Sequence, residues 1–418
     1  MSLLERPIGR PTSTPLIAGD MLAPKHFDRI RSRLVLDGCK WDPQVGDVST
    51  IARFPLLLSN SHWRELADLA TRLTAELIAA EQELLDRPDL HHRLALPRRI
   101  RSVLRRAARF SATPAAARVM RFDFHWTRDG WRISEVNSDV PGGYCESSLL
   151  PAVMAEHYPN ARPAGNPGAV WADAIAASVP AGLHVALLAA PGFIEDQQVI
   201  AYIARQLGQL GMPSHWAAPE HLQWRNGIAH LDSPSHQGPL GAIVRFFQAE
   251  WLSAGASSCL FVGGQTPVAN PGIAILTESK RFPLLWDDLA TPLHAWRQLL
   301  PETRDPGSVD WIDDPAWLVK SALCNTGDTV AIRALLTDRQ WKLAARDVRW
   351  RPGHWIAQRR FDVQSVESPA GNIYPCIGVY TINGSPAGIY GRFSRNELID
   401  FAAVDVAVLI ADDEASHT

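Results

Sequence analysis

The stretch R-F-D-F-H-W-T-R-D-G-W-R-I-S-E-V-N-S-D-V-P-G-G, residues 121–143, gathers Arg121, Asp123, Glu135, Asn137 and Asp139 around one short turn. Alternation places Arg121, Asp123 and His125 on one face of the first strand, and Glu135 with Asn137 on one face of the second. Whether those faces coincide depends on the loop. A two-residue D-G turn pairs Arg128 with Trp131 and sends Asp123 away from Glu135. A three-residue R-D-G loop, with Gly130 left-handed, pairs Asp123 with Glu135 and Arg121 with Asn137. Side-by-side carboxylates repel unless a cation sits between them. Two carboxylates and an amide oxygen are hard donors, the set magnesium takes when it also bridges phosphates. The competing reading is a solvated strand pair with its charges in water. The Pro-Gly-Gly that follows lets backbone approach a ligand, or simply turns the chain.

The surrounding elements must position this hairpin. Apolar residues recur at helical spacing from Ser61 to about Leu85 (Trp63, Leu66, Leu69, Leu73, Leu77), which predicts an amphipathic helix. Residues 98–109 hold six arginines at mostly helical spacing, read as a solvated helix face. From Gly182 to about Gly264 the pattern changes to strand–helix–strand. A strand over 184–190, a helix from Asp196 to Leu210, and strands at 213–218, 241–247 and 259–264 predict a small α/β domain. Its loop after the first strand is where such sheets bind ligands. No G-x-G-x-x-G occurs, so dinucleotide binding has no support. Strands return at 317–320, 354–361, 374–382 and 387–393, with Asn383-Gly384 as a hairpin turn.

Bulk properties bound the function. The 418 residues are 46% hydrophobic and 20% charged with a net charge of -3, a chain long enough for two or three domains. That balance gives no electrostatic case for nucleic acid or membrane partners, and no run of about 18 apolar residues predicts a membrane span. The start, MSLLERPIGRPTSTP, does not read as a signal peptide. Cys39, Cys145, Cys259, Cys324 and Cys376 are scattered without a C-x-x-C pair. This argues against a disulfide framework or a cysteine-bound structural zinc and suits a reducing cytoplasm.

E-V-N-S-D-V-P-G-G resembles the magnesium-binding E-x-N motif of ATP-grasp ligases. In most of them that motif follows the nucleotide-binding lysines, whereas here it lies in the first third of the chain. R-x-D, a hairpin, E-x-N-x-D and a later glutamate, Glu146, resemble the glutathionylspermidine synthase family, whose ATP-grasp fold is circularly permuted in this way. Further landmarks follow in the family's order: I-V-R-F-F-Q-A-E-W-L (243–252), L-T-E-S-K-R-F-P-L-L-W-D-D-L (276–289), W-L-V-K (317–320), W-I-A-Q-R-R-F (355–361) and G-V-Y-T-I-N-G-S-P-A-G-I-Y-G-R-F (378–393). The resemblance runs from about residue 25 to 400.

It implies an α/β (α+β) ATP-grasp-like fold, circularly permuted, with a small Rossmann-like pre-ATP-grasp domain and a mobile lid. The expected divisions are an arm (1–25), a helical region with the metal-binding hairpin (26–180), the small α/β substrate domain (181–265) and an ATP-binding part (266–418). The implied activity is ATP-dependent joining of a peptide or small-molecule carboxylate to an amine through an acyl phosphate, in the cytoplasm. ATP and two magnesium ions are the implied cofactors. Asp123, Glu135 and Asn137 would hold the metals; Lys280, Lys320, Gln358 and Gly327 would face the nucleotide. Arg121 and Arg392 would act in catalysis, and Asp139, Glu146 and Arg245 would meet substrate. One departure stands out. The family continues its phosphate lysine into Lys-Pro and a Gly-Arg-Glu-Gly loop, where this chain has K-S-A-L-C-N-T-G-D-T-V. That loop covers phosphates through backbone N–H groups, accompanies altered substrates, or marks a degenerate nucleotide-binding or scaffold protein.

Overall fold

The computed structural model describes residues 14–46, 48–190, 192–252, 256–323, 329–400 and 402–411. Gly327, and with it the centre of the altered loop, lies outside the described residues, as does most of the expected arm.

The long amphipathic pattern forms the helix Asn60–Asp86, started by Ser59, whose side chain accepts from the His62 N–H. Its Leu66, Leu69, Leu73, Leu77, Ala80 and Leu84 are buried at spacings of three and four. They pack against the apolar face of the central sheet, where Phe122, Phe124, Trp126, Trp131, Ile133, Ile377, Val379 and Ile389 join the same core. Each such side chain contributes about 1.5–3 kcal/mol on burial. The arginine-rich segment forms the helix Arg98–Phe110, burying Ile100, Val103, Leu104 and Ala107 on its other face.

The central sheet runs in the order Val404–Val406, Ser385–Ser394, Gly371–Ile382, Val119–Thr127, Gly130–Asn137. Strands from the two ends of the chain are thus neighbours: Gly378 stands opposite Asp123, and Tyr380 opposite Arg121. The Asn383-Gly384 turn is as expected, with φ of 50° and 86°. Asn383 also accepts the Arg118 N–H on its side chain, at 2.9 Å.

A second antiparallel sheet, Thr303–Arg304, Trp355–Arg359, Trp317–Ser321 and Val330–Ala331, carries the lysine strand. Trp317, Val319 and Ala357 pack with Trp341 and Val348 of the helix Asp338–Trp350. The alternate residues Leu318, Lys320, Ile356 and Gln358 therefore face the other way.

The small α/β unit has the parallel strands Ser214–Ala217, His184–Ala189, His236–Phe246 and Val268–Ala269, with the helix Ile194–Gln209 after its first strand. One expectation fails here. C-L-F-V-G-G is not a strand: Ala256–Leu260 is a 3-10 turn, Val262 makes only an isolated bridge to Ala112, and Val268–Ala269 takes the parallel place. Cys259 and Leu260 already belong to the 3-10 turn, and Gly263, at φ 76°, turns the chain again directly after Val262. The lysine-bearing helix is also shorter than expected. It spans Ile275–Glu278, and Lys280 follows it in a turn before the 3-10 segment Phe282–Asp288.

Candidate active site

The hairpin reaches the acid-gathering register by neither simple loop. Thr127 pairs with Gly130 across a tip of Arg128 and Asp129, and Trp126 pairs with Trp131. Continued unbroken, that register would set Ser134 opposite Asp123 and turn Glu135 to the apolar side. A bulge between Asp123 and Phe124 absorbs one residue, and Asp123 faces Glu135 while Arg121 faces Asn137. One extra residue, Ser134, decides the side on which the glutamate emerges.

The polar face then extends across four strands. Cys376, Gly378 and Tyr380 lie beside Asp123 and Arg121, and Tyr390 with Arg392 lie beyond them. Gly378 has no side chain to intervene; a Cβ there would sit 2.8 Å from Arg121 Cδ. Arg121 can thus lie across the sheet and bind Asp123 through Nε at 2.7 Å and Nη2 at 3.1 Å. Arg392 reaches the same carboxylate, Nη2 to Oδ2 at 2.9 Å, and the Asn137 amide stands 3.4 Å from that oxygen. Both guanidinium groups stand 5.1 Å from the Tyr390 ring centre.

Above this face opens a cleft of about 890 Å³, counting space open to solvent, lined among others by Asp123, Glu135, Lys280, Lys320, Gln358 and Arg392. The second sheet supplies Lys320 and Gln358, and the Lys280 turn closes a third side. Lys280 Nζ is 3.3 Å from Glu135 Oε2, and Lys320 donates to the Ser134 carbonyl at 3.1 Å. Gln358 Nε2 donates to Thr303 Oγ1 at 3.0 Å.

Electrostatics follow from this packing. Burial pushes both carboxyls up, but Arg121 and Arg392 hold Asp123 below the usual range, and Lys280 and Lys320 do so for Glu135. Burial, then Lys280, pushes the Lys320 ammonium down to about 8, against the pull of Glu135 and Asp123. Burial also takes His125 down to about 4 and the Cys376 thiol up to about 12. At pH 7 the cleft therefore holds two carboxylates, the Lys320 ammonium, the Arg392 guanidinium, a neutral imidazole and an inert thiol.

Arg121 and Asn137, beside Asp123, are not part of the cleft lining, and other expected site residues stand farther from it. Asp139 and Arg245 are fully buried and ion-paired, with Nη1 to Oδ2 at 3.3 Å and a closer contact between Nη2 and Oδ1. Asp139 also accepts the Ala249 N–H at 2.7 Å, so it does not cap the helix Tyr144–Ala155. Glu146, in the first turn of that helix, pairs with Lys40 at 2.7 Å. Lys40 further holds Asp42 at 3.1 Å and Asp405 at 3.2 Å. The Gly-Gly turn serves Arg121 and Tyr380, both of which donate to the Gly142 carbonyl.

Several residues that shape the site carry little sequence signal. Glu278 accepts the Ser138 N–H at 2.6 Å and the Asp139 N–H at 2.9 Å. Asn270 donates to the Asp139 carbonyl at 2.7 Å, and Arg118 to the Ser138 carbonyl. Together they fix the path of the chain just past Asn137. Glu278 lies two residues before Lys280, within a stretch already singled out; Asn270, Arg118 and Lys40 stand in no recognisable motif.

The sequence model of the glutathionylspermidine synthase preATP-grasp family matches residues 45–410. The chain belongs to this family. The solved structure of a glutathione synthetase-like effector from Globodera pallida, in its apo form, is similar over 93% of this chain and 98% of its own, with a TM-score of 0.63 and 12% identity. A putative γ-glutamylcysteine synthetase from Methylobacillus flagellatus KT is also similar, over 78% of this chain and 85% of its own, with 12% identity and a TM-score of 0.43. No curated protein matches the chain. The α/β, ATP-grasp-like fold expected from the sequence is thus the fold of this glutathionylspermidine synthase family member. Among the described residues no helix is long and apolar enough to cross a membrane.

Proposed function

We propose that the protein is an ATP-dependent carbon–nitrogen ligase that joins a peptide or small-molecule carboxylate to an amine through an acyl phosphate. The observation that carries this reading is the convergence of Asp123 and Glu135 with Lys280, Lys320 and Arg392 in one cleft. Triphosphate and substrate carboxylate repel, and a site that brings them together must be rich in cations while keeping acids for metal.

The donor set fits magnesium. Glu135 and Asp123 are ionised neighbours on paired strands, and the Asn137 amide lies beside them. Asp123, Glu135 and Asn137 would hold the ions, which supply charge neutralisation at the phosphate oxygens. The chain's other residues then have distinct tasks. Lys280 and Lys320 bind phosphates as point charges on flexible stems. Gln358 faces the adenine side, between apolar walls that include Leu318, Ile332 and Phe361. Arg392 leaves Asp123 for the transferred phosphoryl group, which removes the shortest of three contacts on Oδ2 and leaves Arg121 and the Asn137 amide beside it. A carboxylate oxygen of the substrate takes the γ-phosphoryl group as its bond to the β-phosphate breaks. The amine then forms a C–N bond as the C–O bond to phosphate breaks, losing its proton to solvent. Arg121, held beside Asp123, stabilises the oxyanion of that second step.

A second reading rests on one observation: Arg121, Arg392 and Asn137 already satisfy Asp123. If Arg392 never leaves, the protein is a nucleotide-binding or scaffold relative without turnover. Calorimetry with ATP, with and without magnesium, followed by ADP release against panels of amines and peptides, separates the two. Magnesium-dependent binding with ADP release is the expected result. Binding without release under every acceptor supports the scaffold, and no binding removes the nucleotide from both.

Lys320 provides a pH test. Below about pH 8 its ammonium is present, and it is lost as pH rises through that value. Affinity for magnesium ATP should be level near pH 7 and weaken above pH 8, by up to about tenfold per pH unit. Lys320→Arg, charged throughout, should flatten the profile measured by calorimetry.

A further inference from the structure

Away from the cleft, the small parallel sheet carries three histidines that the proposed reaction does not use. His184 opens the strand His184–Ala189, His215 lies on Ser214–Ala217, and His236 opens His236–Phe246. These strands are neighbours, with the His184 strand in the middle. Register settles the face. His215 stands beside Ala186, two residues past His184, and Leu240, four residues past His236, stands beside His184. With a period of two, all three imidazoles leave the same side of the sheet. They sit at the amino-terminal edge of the parallel strands, opposite the end where such sheets bind substrate.

One ring nitrogen from each histidine lies within 4.8 Å of the other two, and all three side chains are partly exposed. His184 Nδ1 and His215 Nε2 face each other at 2.8 Å. His236 packs on both, with ring centres 4.4 Å and 4.7 Å away. Its Nε2 is buried without a hydrogen-bond partner, which packing alone does not explain. A Cβ on Gly238 would come within 3.3 Å of that same nitrogen, so the glycine keeps its surroundings open. Burial, and then His236, shift His184 and His215 toward the neutral imidazole, the form that coordinates metal.

We propose that His184, His215 and His236 form a three-imidazole site for a divalent transition metal ion, zinc above all, which ties three strands together at this edge. Three neutral nitrogens suit zinc and leave a fourth position for water, whereas magnesium and calcium prefer oxygen. Nitrogens about 2.0–2.1 Å from a tetrahedral zinc stand about 3.3 Å apart. Admission of the ion therefore breaks the His184–His215 hydrogen bond, opens that pair by about half an ångström and turns the rings, now within 34° of parallel, so that their nitrogens converge.

The test uses the full chain without an affinity tag, stripped with chelator, titrated with zinc chloride by calorimetry and loaded with cobalt(II) for visible spectroscopy. One equivalent of zinc should bind, and cobalt should give the strong bands of a four-coordinate ion that zinc abolishes. His215→Gln should weaken zinc at least about 100-fold and lose the bands. His294→Gln, on an exposed position of a remote helix, should change neither. Circular dichroism checks each fold, with His184→Gln in reserve. Protection of the three imidazoles from diethyl pyrocarbonate by zinc, read on wild-type peptides by mass, needs no variant. Absence of saturable binding, equal affinity in the variants, or only weak octahedral cobalt bands would overturn the site.

Discussion

Glu135→Gln should lower magnesium- and ATP-dependent turnover by about 10³-fold while leaving the protein folded. The substitution keeps shape and removes one charge. It does so where Lys280 stands 3.3 Å away and Lys320 depends on the same carboxylate to hold its proton. If Glu135 holds the metal as proposed, its loss removes a ligand and also pushes the Lys320 ammonium lower still, so two contributions to phosphate binding weaken together. Glu135 is a cleaner probe than Asp123. Its side chain is 23% exposed, against 2% for Asp123, whose replacement would also leave Arg121 and Arg392 without their shared anion. Turnover and magnesium-dependent calorimetry on the two proteins, with matched melting curves, read the effect. A variant that turns over at the wild-type rate would take Glu135 out of the metal set.

The second large effect concerns stability. Arg245→Met should cost about 3–5 kcal/mol, because it leaves the Asp139 carboxylate buried without its cation. Both side chains are 0% exposed. The guanidinium also holds the Phe247 and Asn270 carbonyls, and Asp139 holds the Ala249 N–H, so the pair clamps three segments at one point. A loss of that size lowers the melting temperature by roughly 5 °C. Removing both charges in Arg245→Met with Asp139→Leu should recover part of the loss, since paired removal leaves no buried ion. Ala249 keeps the recovery incomplete. Thermal unfolding of the two single variants and the double variant gives the coupling. An Arg245→Met protein that melts with wild type would mean that the pair is not a structural centre, and would return both residues to a direct role with substrate.

The two experiments separate groups that look alike in the primary structure. Asp139 lies four residues after Glu135 in the same acidic run, and nothing in their order tells which one faces a ligand. Burial tells. Glu135 lines the cleft, whereas Asp139 turns into the junction with the small α/β unit.

Much of the molecule follows from local rules that the chain carries in its own order. The 60–86 helix follows from leucines at intervals of three and four, and the closing hairpin from Asn383-Gly384, since both depend on neighbours a few residues apart. The order of hairpin, lysine turn, lysine strand and closing hairpin was enough to identify the family, because each motif sits on its own short element. Other features needed the folded chain. The polar residues of the 121–137 hairpin share a face only because the Ser134 bulge corrects the parity, and such a bulge has no signature in residue types. Arg392 meets Asp123 across Gly378, three segments brought together by strand pairing over some 270 positions, and the chain between them does not encode that register locally. The anchoring of Ser138 and Asp139 by Glu278, Asn270 and Arg118 arises in the same way. A buried polar group must find a partner, and which remote side chain supplies it is decided only when the layers close.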